Sequence, residues 1–181
     1  MKYYAEIRLR DGRTCILRHA EPTDAEAFLA YFQTAHGETD YLMTYPDEPM
    51  HTAEEMAEKF TAMRGSPTDM EICAFVDGVL VGSAGNRIVS NREKVRHRAE
   101  FGISILRDFW GLGIGNALTG ASIDCARQAG LVQLELDVVA DNTRAVALYE
   151  KYGFTEYGRN PLGFRTREGE WQELLYMRLV L

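Results

Sequence analysis

The sequence predicts one mixed α/β domain spanning residues 1–181. Three observations carry this. The chain has 181 residues and is 46% hydrophobic, which suits a single core. Apolar residues recur with a period of two in some stretches and with a helical period in others. No repeat, low-complexity tract or linker divides the chain. The order reads as strands, two helices, three strands, a helix, a strand, a helix and closing strands.

Each element has a local reason. Residues Tyr3 to Leu9 and Thr14 to Leu17 form a hairpin about Asp11-Gly12. Pro22 and Thr23 open a first helix, with Ala25, Phe28, Leu29 and Phe32 on one face. Residues 35–50 read as loop. The capping box Thr52-x-x-Glu55 starts a second helix that runs to about Arg64 and stops at Gly65-Ser66-Pro67. Met70 to Val76 and Val79 to Val89 pair about Asp77-Gly78, and Arg98 to Leu106 is a further strand. A helix from Gly113 to Ala129 carries the stripe Ile114, Ala117, Leu118, Ala121 and Cys125, and Gly130 closes it. Gln133 to Val139 is a strand. Asp141 or Asn142 caps a short helix through Tyr152, closed by Gly153; Phe154 to Gly158 and Trp171 to Leu181 are the last strands.

Composition narrows the function. A net charge of −7 and a pI of about 5.2 argue against nucleic acid as a partner. The basic cluster Arg87, Arg92, Lys94, Arg96, His97 and Arg98 reads as a solvated hairpin between strands, the other reading being a patch for an anion. Cys15, Cys73 and Cys125 are scattered, with neither disulfide nor metal spacing, and the histidines form no triad or metal cluster. MKYYAEIRLRDG has no apolar signal core, and no run approaches the ~20 apolar residues of a membrane span. A cytoplasmic protein without membrane or metal is expected.

The stretch FWGLGIGNALTG, Phe109 to Gly120, places three glycines between a predicted strand and a predicted helix. Such a turn brings backbone N–H groups and the positive end of a helix dipole to an anion. A nucleotide P-loop requires Gly-Lys-Ser/Thr, but Gly115 precedes Asn116-Ala117. A dinucleotide fingerprint requires a third glycine or alanine, where Leu118 or Asn116 stands, and only one βα unit follows. A plain packing turn is the remaining alternative.

The blocks AEFGISILRDFWGLGIGNAL, Ala99 to Leu118, and DNTRAVALYEKYGF, Asp141 to Phe154, together resemble the GNAT N-acetyltransferase superfamily. The resemblance runs from Met70 to Leu181, and the N-terminal hairpin and helix pair suit it. The family carries Arg/Gln-x-x-Gly-x-Gly/Ala at the turn; here Trp110 replaces Arg/Gln, as in the branch that includes the ribosomal-protein N-terminal acetyltransferases. The resemblance implies the GNAT fold: one mixed, mostly antiparallel sheet flanked by helices, with splayed central strands. It implies acetyl-CoA as cosubstrate, its pyrophosphate held at Trp110, Gly111, Leu112, Gly113, Ile114, Gly115 and Asn116. The acyl-pantetheine arm would then lie against Ile103, Ser104 and Ile105, where a backbone N–H polarises the thioester.

Strand alternation places Glu100, Gly102 and Ser104 on one face. Glu100 is the candidate base that frees the amine, directly or through water; the alternative is a surface carboxylate paired with Arg98 or another basic neighbour. Tyr149 lies two helical turns after Asn142 and matches the family's tyrosine that protonates the departing thiolate; the alternative is a core aromatic. Asn142 is a ligand for the arm, an N-cap, or both. The resemblance assigns residues 35–49 to the acceptor site, where Glu38, Asp40, Asp47 and Glu48 stand among Tyr41, Met43 and Tyr45.

The resulting expectation is an acetyl-CoA-dependent N-acetyltransferase with direct attack by a primary amine in a ternary complex. The acceptor is a peptide N-terminus, a polyamine, an amino acid or a drug. The alternatives are an acyl-CoA-binding module without catalysis on the same fold and, more remotely, a nicotinamide enzyme. Similar proteins suggest a homodimer through the terminal strands.

Overall fold

The computed structural model describes residues 3–181. Its strands are β1 (Tyr4–Arg8), β2 (Thr14–His19), β3 (Met70–Val76), β4 (Val79–Ile88), β5 (Arg98–Ile105), β6 (Gln133–Val139), β7 (Thr155–Arg165) and β8 (Trp171–Val180). Its helices are α1 (Ala25–Gly37), α2 (Ala53–Gly65), α3 (Ile114–Gln128) and α4 (Thr143–Lys151). The strands form one sheet in the order β1-β2-β3-β4-β5-β6-β8-β7. Every pair is antiparallel except β5 with β6. No described helix is long and apolar enough to cross a membrane.

The turn residues act as their chemistry dictates. Asp77 and Gly78 both have positive φ, 50° and 79°, as a two-residue hairpin that follows strand twist requires. The Thr52 side chain accepts the Glu55 N–H, and Glu55 returns a bond to the Thr52 N–H. Two apolar cores result. One joins α3 and α4 to one face of the sheet, with Leu118, Leu134 and Met177 almost fully buried. The other seats α1 and α2 on the opposite face, where Phe28 meets Phe60 edge-on at 5.2 Å.

Three expectations shift. Pro22–Asp24 is a separate 3₁₀ turn, and α1 then buries Ala25, Phe28, Tyr31 and Ala35, leaving Leu29 and Phe32 half-buried. Tyr31 can sit deeper because its hydroxyl finds partners in the sheet. Helix α1 also continues to Gly37, past the expected loop start. Strand β7 extends to Arg165 rather than ending at Gly158. It passes through Pro161, which an edge strand tolerates, with a register shift between Asn160 and Phe164.

The basic cluster divides. Arg87 sits in β4 and bonds Glu71 at 2.7 Å, while Arg98 in β5 clasps Glu135 of β6 with two of its guanidinium nitrogens, Nε and Nη2. Only residues 89–97 form the exposed connection. The Arg98–Glu135 pair ties β5 to β6 at their last shared rungs. The Arg98 guanidinium holds the Glu135 carboxyl below its ordinary range, against the opposing effect of burial. A depressed folded-state value contributes stability that is present above the unfolded value and lost as pH falls through the folded one. Denaturant unfolding of Glu135→Gln should show a clear deficit against the wild type near neutral pH. That deficit should narrow at about pH 3, below the unfolded-state carboxylate value of ~4.3.

Candidate functional site

Strands β5 and β6 pair over only three residues, Arg98–Glu100 with Gln133–Glu135, and then diverge. Beyond Glu100, β5 keeps β4 on one side and has an open edge on the other. Alternation identifies the groups on that edge. Leu106 donates to Val81 of β4 at 2.9 Å, and Val89 of the same hairpin donates to Arg98, so the even-numbered residues face β4. The N–H and C=O groups of Ile103 and Ile105 therefore face the opening.

The opening leads into a cavity of about 530 Å³ lined by Ile103, Ser104 and Ile105, the glycine turn, α4 and the connection after α1. At one end is the N-terminus of α3. Gly111 and Gly113 have φ of 79° and 105°, and a side chain built on either would meet nothing within 4 Å. Gly113 is the N-cap and Ala117 is the first residue to bond back to it, which leaves the N–H groups of Ile114, Gly115 and Asn116 without helical partners. No acidic residue occupies this first turn. Gly115 serves packing, since its Cβ would touch Ile105 at 3.3 Å and Leu148 at 3.4 Å. The side chain of Ile114 is wholly buried, and neither Ile114 nor Leu112 lines the cavity, contrary to the sequence expectation for these two residues.

Trp110 lines the cavity, and its indole N–H donates to the Ile105 carbonyl at 2.7 Å. It thereby closes the last acceptor on the open edge. Arg144 lies over its ring at 4.9 Å. Ser104 also lines the cavity, but its hydroxyl and carbonyl are both bonded to Tyr31.

Helix α4 forms the facing wall. Asn142 caps it by accepting the Ala145 N–H at 3.3 Å and also lines the cavity, so the two sequence readings of this residue are geometrically compatible. Tyr149 is 7% exposed, with its ring edge-on to Phe101 at 6.1 Å. It borders the cavity, and no hydrogen bond to its hydroxyl occurs among the described residues. Burial pushes its pKa up, so the phenol keeps its proton at neutral pH.

Glu100 sits elsewhere. It is exposed, at the last β5–β6 rung opposite Glu135, and does not line the cavity. Its expected alternative partner, Arg98, is engaged by Glu135. Gly102 follows it, with open space where a side chain would point. The carboxyl of Asp137, across the opening, is pushed up by desolvation and then by the nearby Glu100 and Glu135 carboxylates.

The acids of the expected acceptor loop are mostly engaged in fastening that segment to itself and to its neighbours. Glu38 accepts the Arg107 N–H at 2.7 Å, Glu48 accepts the Tyr45 N–H at 2.8 Å, and Asp47 pairs with Arg167 at the β7–β8 turn. Thr39, Tyr41 and Leu42 are what this segment contributes to the cavity. Met43 points outward, 77% exposed.

Sequence reasoning missed three cations at the cavity: Arg10, Arg144 and Lys151. Arg10 bonds the Gly111 carbonyl at 3.2 Å, and its backbone N–H bonds Leu112. That long-range contact has no local signal. Arg144 and Lys151 are seven residues apart on α4, a spacing that puts them on one helix face and was legible. Lys151 bonds the Asn116 side chain at 2.5 Å. All three cysteines are buried, and burial raises the thiols of Cys15 and Cys125 to about 11. Among the described residues no group of His, Cys, Asp or Glu could hold a metal.

Comparison with known proteins agrees with this geometry. Residues 30–154 match the model of the acetyltransferase (GNAT) family. The chain is 30% identical over 166 residues to the L-amino acid N-acetyltransferase AaaT of Escherichia coli (strain K12), covering 91% of this chain and 97% of that one. It superposes on a GNAT-family acetyltransferase from Streptococcus pneumoniae with a TM-score of 0.89 at 29% identity, covering 92% and 99% of the two chains. A ribosomal-protein-alanine N-acetyltransferase from Brucella melitensis gives 0.80 at 26% identity, covering 91% and 99%.

The left-handed N-cap of α3 has a testable cost. Alanine at Gly113 carries a strain on the order of 1–3 kcal/mol, and relaxing it would turn the first-turn N–H groups away from the cavity. Gly113→Ala should weaken CoA binding by about tenfold in calorimetry, at ~1.4 kcal/mol per factor of ten. Gly130→Ala, with φ of 74° at the far end of the helix, should leave it unchanged.

Proposed function

The chain belongs to the GNAT acetyltransferase family and is thereby an acetyl-CoA-dependent acyltransferase, and on that premise we propose that it transfers acetyl to an α-amine by direct attack in a ternary complex. The observation that carries this reading is the fork between β5 and β6, with an anion-binding helix end at one side and a protonated tyrosine in its wall.

The residues present fit the cosubstrate. The free N–H groups of α3 face a space that Gly111 and Gly113 leave open, which suits a pyrophosphate. Arg10, Arg144 and Lys151 add positive charge at the same cavity. The open edge of β5 offers the Ile103 N–H and C=O and the Ile105 N–H to the amide-bearing pantetheine arm, which would pair there as a strand does. A β5 N–H polarises the thioester carbonyl. Asn142 has its side-chain amide left to donate to the arm.

The acceptor approaches from the Glu100–Gly102 side, where the missing side chain leaves space. AaaT acts on L-amino acids, and the Brucella neighbour on alanine in a ribosomal protein; an α-amine is common to both. Such an amine has a pKa near ~8, so its neutral form is reached with modest help at physiological pH. Glu100 takes the amine proton, through water given its place outside the cavity wall. The amine nitrogen bonds to the acyl carbon, the carbon–sulfur bond breaks, Tyr149 gives its proton to the thiolate, and the proton that the nitrogen sheds on becoming an amide returns through water to the phenolate. The buried, raised thiols suit transfer without an acyl-enzyme. A cytoplasmic homodimer belongs to the same proposal.

Thiol release from acetyl-CoA, followed across a panel of amino acids and short peptides, tests this. Turnover should appear with α-amines. Tyr149→Phe should lower kcat by about a hundredfold, within the usual contribution of general acid catalysis, with acetyl-CoA affinity kept. Glu100→Gln should lower kcat/KM most at low pH, where the amine most needs a base. Tight CoA binding with no turnover on any amine would leave the binding-module reading in its place.

A further inference from the structure

Tyr31 of α1 lies 4% exposed with its hydroxyl at a rung of the β4–β5 ladder. That oxygen is 3.0 Å from the Ser83 N–H, 2.7 Å from the Ser104 carbonyl and 2.5 Å from the Ser104 hydroxyl. Ser83 and Ser104 are direct partners in the register. The hydroxyl accepts from Ser83 and from the Ser104 side chain and donates to the Ser104 carbonyl, which uses its full capacity.

The Ser104 carbonyl and the Ile105 N–H are the two ends of one planar trans peptide, so they point in opposite directions. The carbonyl is fixed toward β4 by Tyr31, and the N–H is therefore aimed into the opening. A donor on the carbonyl also polarises the amide and strengthens the N–H at its other end. This segment has lost β6 as a neighbour, so β4 alone would otherwise define that peptide plane. On the other side, the Trp110 indole fixes the next carbonyl, that of Ile105. Two aromatic side chains thus clamp consecutive peptides and leave the Ile105 N–H as the free donor between them.

We propose that Tyr31 is a positioning residue for the cosubstrate: through the Ser104–Ile105 peptide it presents the Ile105 N–H to a carbonyl of the pantetheine arm. This rests on the reading that the arm lies along the open edge of β5. The proposal separates two parts of the cosubstrate. Adenosine and phosphates sit at the glycine turn and do not sense Tyr31. The arm does.

Calorimetric titration of CoA and of adenosine 3′,5′-bisphosphate, which lacks the arm, tests it. In Tyr31→Phe, which keeps the buried ring, CoA should bind about fivefold more weakly, the usual worth of one hydrogen bond. The bisphosphate should stay within about twofold of its wild-type affinity. Ser104→Ala keeps the carbonyl contact and should give the same selective loss at about twofold; it carries the test should Tyr31→Phe not fold. An unchanged CoA affinity, or an equal loss for both ligands, overturns the proposal. Equal affinities of the wild type for CoA and the bisphosphate would instead overturn the placement of the arm beneath it.

Discussion

A strand that loses its neighbour halfway must satisfy its backbone some other way, and the site is organised around that constraint. Strand β5 pairs with β6 over three residues and then runs on beside β4 alone. Buried backbone donors and acceptors need partners. The protein resolves this in two ways. Part of the free edge is closed from within, by the Trp110 indole on the Ile105 carbonyl. In the proposed reading, the rest receives a ligand that carries amides of its own. A peptide-like arm is the kind of molecule that completes such an edge, as an added strand would.

The elements around the fork hold it open. Arg98 and Glu135 bind the two strands where they still touch. Helix α3 follows β5 after the glycine turn, and Gly115 lets its first turn press against Ile105 and Leu148. The connection after α1 is latched to the turn that follows β5 through Glu38 and to the β7–β8 turn through Asp47 and Tyr45. These acids therefore act as fasteners, which explains how an acidic loop can leave Thr39, Tyr41 and Leu42 as the surface facing the cavity.

Much of this was legible in the sequence because it depends on local chemistry. The Asp77-Gly78 turn, the Thr52–Glu55 box and the glycines at 111 and 113 each need a particular residue type for a backbone reason, and each stands where that reason predicts. The face of β5 that bears Glu100, Gly102 and Ser104 follows from alternation alone. What escaped was long-range. Nothing near Tyr31 in sequence says that its hydroxyl enters a sheet rung 52 residues away at Ser83, so Phe32 looked the better core residue. Nothing near Trp110 says that it caps Ile105 rather than only flanking a phosphate. Arg98 beside Glu100 suggested a local pair, but the parallel register brought Glu135 closer. Tertiary pairing decided each of these.

The central claim is that the open edge of β5 receives the arm of acetyl-CoA. Hydrogen–deuterium exchange of single amides, with and without saturating CoA, tests it most directly. The N–H groups of Ile103 and Ile105 should gain protection of at least about tenfold, along with those of Gly115 and Asn116 at the start of α3, as newly bonded amides do. The amides of Arg98 to Glu100, already held in the sheet, should not change. Protection confined to the glycine turn, with Ile103 and Ile105 exchanging as before, would contradict the account.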